Sequence, residues 1–542
     1  MQRRTLLKFT AAGAAALIQA AGRNQAAAQA TPAAPPANAP PFELAEATIG
    51  DLQASMQSGA RSGVAVAQAY LARIEAVDRQ GPAINAVIEL NPDALAIAEA
   101  LDRERRDQGP RGPLHGIPVV LKDNIDTADR MRTSAGSLAL GESIAARDAF
   151  IVERLRAAGC VVLGKTNLSE WANFRSSRST SGWSGRGGQT RNPYALDRNT
   201  SGSSSGSGAA MAANLCAVAV GTETDGSIVS PASICGLVGI KPTVGLVSRA
   251  GIIPIAHSQD TAGPMTRSVA DAAILLGAMT GVDPRDTATA GSRGKASPDY
   301  TRFLDPAGLK GARIGVARDF FGYNDRLDRV VEEAIAAMKN AGAVVIDPVK
   351  IAHQDKLGDA ELTILLYEFK AGLDAYLAAL GPAASVHSMR ELIDYNERNA
   401  AREMPYFAQE RLVEAQKKGP LTDAAYRKAV AKIRKFSRGE GIDATIARHR
   451  LDAIVAPTGS PAWPTDYING DHEFGCSQAA AVAGYPHITV PAGFVFGLPV
   501  GTSFFASAYS EPTLIRLAYA FEQATKARRP PQFLPAASLR QA

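Results

Sequence analysis

The segment GTETDGSIVSPASICGLVGIKPT, residues 221–243, is the most informative part of the chain. It follows the short apolar run Ala217–Val220 and contains a second one, Leu237–Ile240. Apolar runs of this length predict buried strands, and a turn of small residues between them lets the backbone approach a ligand closely. Backbone N–H groups in such a turn can stabilise an oxygen that becomes negatively charged during a reaction. The segment therefore predicts a strand and a turn that carry a catalytic site.

Two upstream segments add side chains suited to catalysis. HGIPVVLKDNID, residues 115–126, places Lys122 at the end of an apolar strand. A lysine there is ordinarily solvated or paired with an acid such as the neighbouring Asp123, but burial could lower its pKa from ~10.4 toward 7 and make it a neutral base. SGSSSGSGAA, residues 201–210, leads into a helix of small residues predicted at Gly208–Leu215.

Together these segments resemble the amidase signature family of serine hydrolases. The resemblance runs from about residue 46 to 525, and its closest pattern is that of the bacterial peptide amidases. It implies the α/β amidase signature fold, with a large mixed central β-sheet covered by helices on both faces. Three further segments in the family's order carry it: VVLGKTNLSEWA (161–172), GLVGIKPTVG (236–245) and AGYPHITVPAGF (483–494).

The resemblance also implies which residues react. By position, Ser227 is the nucleophile, Ser203 the bridging serine in a cis peptide bond, and Lys122 the base. The oxyanion hole is implied to consist of backbone N–H groups, those of Thr224, Asp225, Gly226 and Ser227. The commoner family pattern is D-T-G-G-S, so Asp225 stands where most members have glycine. Because a carboxylate beside an oxyanion is unfavourable, we expect Asp225 to point away or to be paired.

The implied activity is hydrolysis of a carboxamide to a carboxylate and ammonia or an amine, plausibly at the C-terminal amide of a peptide. Other small or aryl amides remain open as substrates, as does a glutaminase like the A subunit of a tRNA-dependent amidotransferase. A non-catalytic binding homologue of the same fold is the alternative from a different class. We expect no cofactor and no metal, because no ligand-spaced His, Cys or carboxylate cluster occurs in the sequence. Oligomeric state stays open.

Two short motifs point to other functions and are interpreted as coincidental. Gly159–Thr166 fits G-x-x-x-x-G-K-T, but its variable residues are strand-like and follow a helix, which is the wrong order for a phosphate-binding loop. Gly202–Gly206 fits G-x-S-x-G with Ser204 as an esterase nucleophile, but no hydrophobic strand precedes it.

Helical and strand patterns alternate along the chain, which predicts an α/β sheet covered on both faces. Although 542 residues would allow three or four domains, we expect one large domain at 46–535, with a more helical block at about 355–449 that caps one side of the sheet. Helices are predicted at Val64–Arg79, Asp93–Arg106, Phe150–Ala158, Leu327–Ala341 and Thr513–Ala524. Besides the two runs above, strands are predicted at Ile117–Leu121, Val161–Leu163, Ile314–Val316, Val344–Ile346, Ala453–Val455 and His487–Val490.

The N-terminal residues predict export. Paired arginines, a short apolar stretch and a small-residue site near Ala30 are typical of a twin-arginine signal peptide at 1–30, followed by a Pro/Ala-rich tether at 31–45. We therefore expect a periplasmic or secreted protein, with no membrane attachment after cleavage. Four of the positive charges that make up the net +5 lie in the signal, which leaves +1 for residues 31–542 and gives no reason to expect nucleic acid as a partner. The four scattered cysteines are expected to be buried and not to form a disulfide scaffold.

Overall fold

An eleven-stranded mixed sheet forms the centre of the structure, a computed structural model that describes residues 39–382 and 384–539. The predicted signal peptide and tether residues 31–38 lie outside the described residues. The strands are β1 (Val87–Leu90), β2 (Pro118–Lys122), β3 (Val161–Thr166), β6 (Val218–Glu223), β7 (Val238–Lys241), β8 (Thr261–Thr266), β9 (Arg313–Ala317), β10 (Val344–Val349), β11 (Ala453–Pro457), β12 (His487–Val495) and β13 (Leu498–Phe505), while β4 (Trp183–Ser184) and β5 (Gly188–Gln189) form a separate hairpin.

The strand order is β1-β3-β2-β6-β8-β7-β12-β13-β11-β9-β10. Strands β3, β2 and β6 are parallel, as are β11, β9 and β10, whereas the pairs between β6 and β11 and the β1–β3 pair are antiparallel. Strands β2 and β3 are buried along their whole length, as expected for strands covered on both faces. The predicted α/β fold with a large mixed sheet is confirmed.

Helices cover the sheet and lie near the positions predicted from the sequence, but the small-residue helix begins three residues earlier than expected, at Ser205. The helices are α1 (Ile49–Gln57), α2 (Gly63–Arg73), α3 (Ala94–Gln108), α4 (Phe150–Ala157), α5 (Ser205–Ala212), α6 (Val229–Ile234), α7 (Val269–Met279), α8 (Asp325–Asn340), α9 (Gly358–Ala378), α10 (Met389–Arg398), α11 (Ala400–Glu403), α12 (Glu410–Gln416), α13 (Ala424–Ile433), α14 (Asp443–His449), α15 (Ser477–Ala483) and α16 (Glu511–Thr525).

Strand β8 was not expected from the sequence, because TAGPMT has little β-propensity. Its place in the sheet depends on a close backbone approach. A Cβ atom at Gly263 would lie only 2.0 Å from the carbonyl oxygen of Ile240 in the neighbouring strand. The glycine is therefore required by the tertiary packing, which a local pattern does not reveal.

The segment Gly159–Thr166, which resembles a phosphate-binding loop by coincidence, contains most of strand β3 and a lysine with a structural role. Its G-K-T residues belong to β3, and the Lys165 side chain is fully buried. The Lys165 ammonium group donates to the carbonyl oxygens of Ile125 (2.7 Å) and Arg132 (3.1 Å) and to Thr133 Oγ1 (3.0 Å). These bonds occupy the group that would otherwise bind a phosphate.

The helical block at 355–449 packs against segments that precede it in the chain. Residues of α9, α10 and α12 form an apolar cluster with Trp171, Ile253 and Ile255. A buried polar contact also fastens the block, because Arg175 donates to Glu170 Oε1 at 2.6 Å and to the backbone carbonyl of Glu403. Burial, reinforced by the neighbouring Glu403, raises the pKa of Glu170 to about 8 although Arg175 opposes the shift.

Replacing Arg175 with alanine is expected to destabilise the fold by about 3–5 kcal/mol, because it leaves two buried carboxyl groups without their cation. Chemical denaturation with urea measures this as a lower midpoint. The control is Arg130→Ala, which breaks an exposed pair with Asp93 and should leave the midpoint nearly unchanged. Equal midpoints for the two variants would contradict the prediction.

All four cysteines are buried as free thiols, as the sequence suggested. In residues 39–382 and 384–539, no helix is both long enough and apolar enough to cross a membrane.

Candidate active site

Lys122 is the last residue of β2, an interior strand of the sheet, and its side chain is fully buried. Its Nζ lies 2.7 Å from Ser203 Oγ, 2.9 Å from Thr222 Oγ1 and 3.2 Å from the Thr222 carbonyl oxygen. Burial lowers the pKa of Lys122 to about 7, although the carboxyl groups of Glu223 and Asp260 oppose the shift. Lys122 is thus held where its amine can lose its proton near neutral pH.

Ser203 lies in the loop before α5 and is also fully buried. The peptide bond between Gly202 and Ser203 is cis. The next residue, Ser204, donates its backbone N–H to the carbonyl oxygen of Ser227 at 3.2 Å, which brings this loop against the predicted nucleophile. The Ser204 hydroxyl is buried and donates to the Thr222 carbonyl oxygen at 3.0 Å, so it is held by backbone contacts rather than presented at an elbow.

Ser227 lies in the turn between β6 and α6, and 8% of its surface is exposed. Residues 224–227, which are predicted to supply the oxyanion hole, form this turn. Gly226 has φ +78°, and a Cβ atom there would lie 3.1 Å from both Ser230 Oγ and Ser477 Oγ. A glycine is therefore needed at this position for conformational and steric reasons.

Glu223 anchors the turn, a role that was not predicted from the sequence. Its side chain is 1% exposed, and its Oε2 accepts from the backbone N–H groups of Ile228 (2.8 Å) and Val229 (3.0 Å). Burial raises the pKa of Glu223, and Lys241 together with these backbone donors opposes the shift. The carboxylate thereby fixes the start of α6 directly after Ser227. The sequence feature that could have indicated this role is the position of Glu223, an acid at the end of an apolar strand.

The Thr224 end of the turn is held from the loop before β8. Thr224 Oγ1 donates to Asp260 Oδ1 at 2.6 Å, and Gln259 Nε2 donates to the Thr224 carbonyl oxygen at 3.3 Å. Burial raises the pKa of Asp260 to about 6. The turn is therefore braced on both sides, by Glu223 and by this loop.

Asp225 lies in this turn, and its Oδ1 is buried without a hydrogen-bond partner among the described residues. Glu361 of α9 is linked to the same turn through Gln259, whose Nε2 donates to Glu361 Oε1 at 2.9 Å and to the Thr224 carbonyl oxygen at 3.3 Å. Burial and the neighbouring Glu361 raise the pKa of Asp225 well above its usual value. The helical block thus reaches the turn that contains Ser227.

A cavity of ≈ 210 Å³ adjoins this turn and the polar partners of Lys122. Ala172 and residues 252–255 form an apolar part of its wall, and Arg249 and Asp286 also line it. Thr222, Thr224 and Asn124 line the cavity where it approaches the site. In the described part of the chain, no three His, Cys, Asp or Glu residues group as ligands for a metal ion.

The structure therefore brings Lys122 and Ser203 into contact and places Ser227 against the same loop. A family model described as Amidase matches residues 65–515. The chain belongs to the amidase family. It is a hydrolase that acts on amides, and the predicted membership is confirmed.

Relatives match over most of the chain. A probable amidase of Arabidopsis thaliana is 43% identical over 502 residues, covering 91% of this chain and 93% of that protein. The A subunit of the glutamyl-tRNA(Gln) amidotransferase of Alkalilimnicola ehrlichii is 36% identical, covering 89% and 97%. Among solved structures, the native peptide amidase from Stenotrophomonas maltophilia is 55% identical, with a TM-score of 0.87 and coverage of 91% of this chain and 100% of that one.

Proposed function

We propose that this amidase hydrolyses the C-terminal carboxamide of peptides to a carboxylate and ammonia, through an acyl-enzyme on Ser227. The contact that carries the mechanism is the 2.7 Å distance between Lys122 Nζ and Ser203 Oγ in a fully buried setting. The likeness to the peptide amidase from Stenotrophomonas maltophilia supports the substrate class. The apolar wall of the cavity beside the turn suits an apolar side chain of the peptide.

The hydrogen bonds of Lys122 suit a neutral amine. A neutral amine has two N–H donors and one lone pair. The Thr222 carbonyl oxygen can only accept, so one N–H is directed there, and the second can be donated to Thr222 Oγ1. The lone pair is then directed to Ser203, which donates its hydroxyl proton. In this arrangement Lys122 is a base ready to take a proton through Ser203.

The reaction then has two halves. Ser227 Oγ attacks the amide carbon while its proton passes to Ser203 and the Ser203 proton passes to Lys122. Backbone N–H groups of residues 224–227 stabilise the oxyanion, each donor contributing ~3–4 kcal/mol. Collapse of the tetrahedral intermediate breaks the C–N bond, and the same relay protonates the departing nitrogen. Water attacks the acyl-enzyme by the same route, and Ser227 recovers its proton.

A panel of four substrates distinguishes peptide amides from the other candidate substrate classes. Four substrates are given to the purified enzyme: a C-terminally amidated dipeptide, free glutamine, a short aliphatic amide, and the anilide of the amino acid that forms the N-terminus of the dipeptide. The released ammonia or aniline is measured. We expect kcat/KM for the peptide amide to exceed that for the other three by about 100-fold or more, because only that substrate fills both the cavity and the site. A preference for glutamine would instead favour an amidotransferase-like glutaminase. That function needs a cytoplasmic complex, whereas we propose that residues 1–30 direct this protein out of the cytoplasm.

A further inference from the structure

Asn124 lines the cavity beside the catalytic turn, and one end of its side-chain amide has no partner. The residue is 3% exposed, and its Nδ2 donates to Thr222 Oγ1 at 3.0 Å. Its backbone carbonyl oxygen accepts from the Ile253 N–H at 2.9 Å, which fixes the main chain there. The Oδ1 atom is buried and accepts no hydrogen bond from the described residues. Since buried amide oxygens are normally hydrogen-bonded, this oxygen is suited to accept a donor that a substrate supplies.

Asn124 is the polar side chain of this cavity that the mechanism above leaves without a part. Among the described residues that line the cavity, Glu223 also has a buried oxygen without a partner, its Oε1. The other Glu223 oxygen already holds the start of α6 through two backbone N–H groups. Arg249 and Asp286 are paired with each other. Ligand cavities orient their ligands with a few such polar groups, so Asn124 is the candidate for this role.

The place of Asn124 beside the base determines what it can contact. Thr222 Oγ1 lies 2.9 Å from Lys122 Nζ and 3.0 Å from Asn124 Nδ2, so one hydroxyl group separates the amide from the base. In a peptide amide, the main-chain nitrogen of the C-terminal residue lies about 2.5 Å from the carbonyl carbon that reacts. We propose that Asn124 Oδ1 accepts the N–H of this nitrogen and so selects amides with an α-acylamino group. This inference rests on the proposed function, because it names the group by which a peptide amide is recognised.

Side-chain and aliphatic amides lack the recognised group. In free glutamine and in a short aliphatic amide, the carbon next to the carboxamide carries hydrogen and carbon but no nitrogen. Either substrate would cover the cavity and leave Asn124 Oδ1 without a donor, which is unfavourable for a buried oxygen. The contact therefore favours the C-terminal amide of a peptide over these amides.

Two substrates that differ in one group test the contact. The first is an N-acylated dipeptide amide, and the second has an ester oxygen in place of the N–H next to the C-terminal residue. An ester oxygen cannot donate, so wild-type kcat/KM for ammonia release should be about 10-fold or more lower for the ester. In Asn124→Leu, which has a similar shape and no polar atom, this preference should largely disappear. Any indirect effect on Lys122 through Thr222 acts on both substrates and cancels from their ratio.

Asn124→Asp is the conservative variant, since it keeps an oxygen that accepts. The preference for the N–H substrate should persist in it. Its added negative charge stabilises the ammonium form of Lys122, so the inflection in kcat/KM should move to higher pH. Asn124→Ala repeats the comparison with a smaller side chain, and the melting temperature of each variant establishes that it is folded.

The proposal is overturned if the wild type hydrolyses both substrates equally well, or if Asn124→Leu and Asn124→Ala keep the full preference. These results would leave the proposed function intact, provided that the peptide amide is turned over. If it is not turned over, the proposed function fails, and calorimetry tests the contact with Ser227→Ala and Ser227→Ala/Asn124→Leu. Binding of the N–H compound about 10-fold more tightly than the ester by the first protein alone supports the contact. Equal affinities, or no binding of either compound, refute it.

Discussion

Ser227→Ala is expected to abolish amide turnover, with a fall in kcat of at least about 10⁴-fold, because it removes the atom that forms the acyl-enzyme. The substitution deletes one hydroxyl oxygen from a turn that Glu223 and Gln259 brace independently. The fold should therefore persist. Steady-state ammonia release on the best substrate of the panel measures the loss, and the melting temperature shows whether the variant is folded.

Ser204→Ala is the matched control. Ser204 lies next to the bridging serine and, in the G-x-S-x-G interpretation, is the nucleophile instead. In the structure its hydroxyl donates to the Thr222 carbonyl oxygen, so its removal should cost stability and have far less effect on rate. A fluorophosphonate probe should label Ser227 in the wild type, as mapped by mass spectrometry. An active Ser227→Ala variant, or labelling at Ser204, would disprove the assignment.

Lys122 is expected to make the reaction depend on pH with an inflection near 7. Burial lowers its pKa to about 7, and only the neutral amine can accept the Ser203 proton. Below pH 7 the amine is protonated and kcat/KM should fall about tenfold for each pH unit, whereas above this value the rate levels off. The pH profile of kcat/KM, which reports the free enzyme, measures this directly.

Two substitutions of Lys122 test the same role. Lys122→Met keeps the length and apolar packing of the side chain but has no base, so kcat should fall about 10²–10⁴-fold. Lys122→Arg keeps a charge that cannot be removed near neutral pH, and it should be equally inactive at every pH. Full activity in either variant, or a pH profile that is flat from 6 to 8, would rule out the lysine relay.

The central part of the site was predictable from the sequence because its residues lie in three contiguous segments. Lys122 ends an apolar strand, Ser203 lies in the loop just before a small-residue helix, and Ser227 lies in a glycine-containing turn. Strand and helix periodicity are local properties, so they predicted the parallel strands β2, β3 and β6 and the sheet to which they belong. The roles of the three residues stay predictions until the variants above are measured.

Strand β8 was not predicted, because its position depends on tertiary packing and not on a local sequence pattern. Its TAGPMT sequence has no strand pattern, and it joins the sheet because Gly263 allows the backbone of β7 to approach closely. Similarly, Glu223 is an ordinary acid in the sequence. Its role follows from burial and from two backbone donors located five and six residues later, and only the folded turn brings these donors together.

The amino-acid sequence by itself therefore determined the fold class, the family and the three segments that meet at the site, because local periodicity and contiguous motifs specify these. Only the tertiary structure decided the environment of each group. Lys122 is a candidate base because the sheet buries it, and the pKa of Asp225 is raised by burial and by Glu361, which lies 136 positions later in the sequence. A pKa depends on desolvation and on neighbouring charges, and residues distant in the sequence supply both.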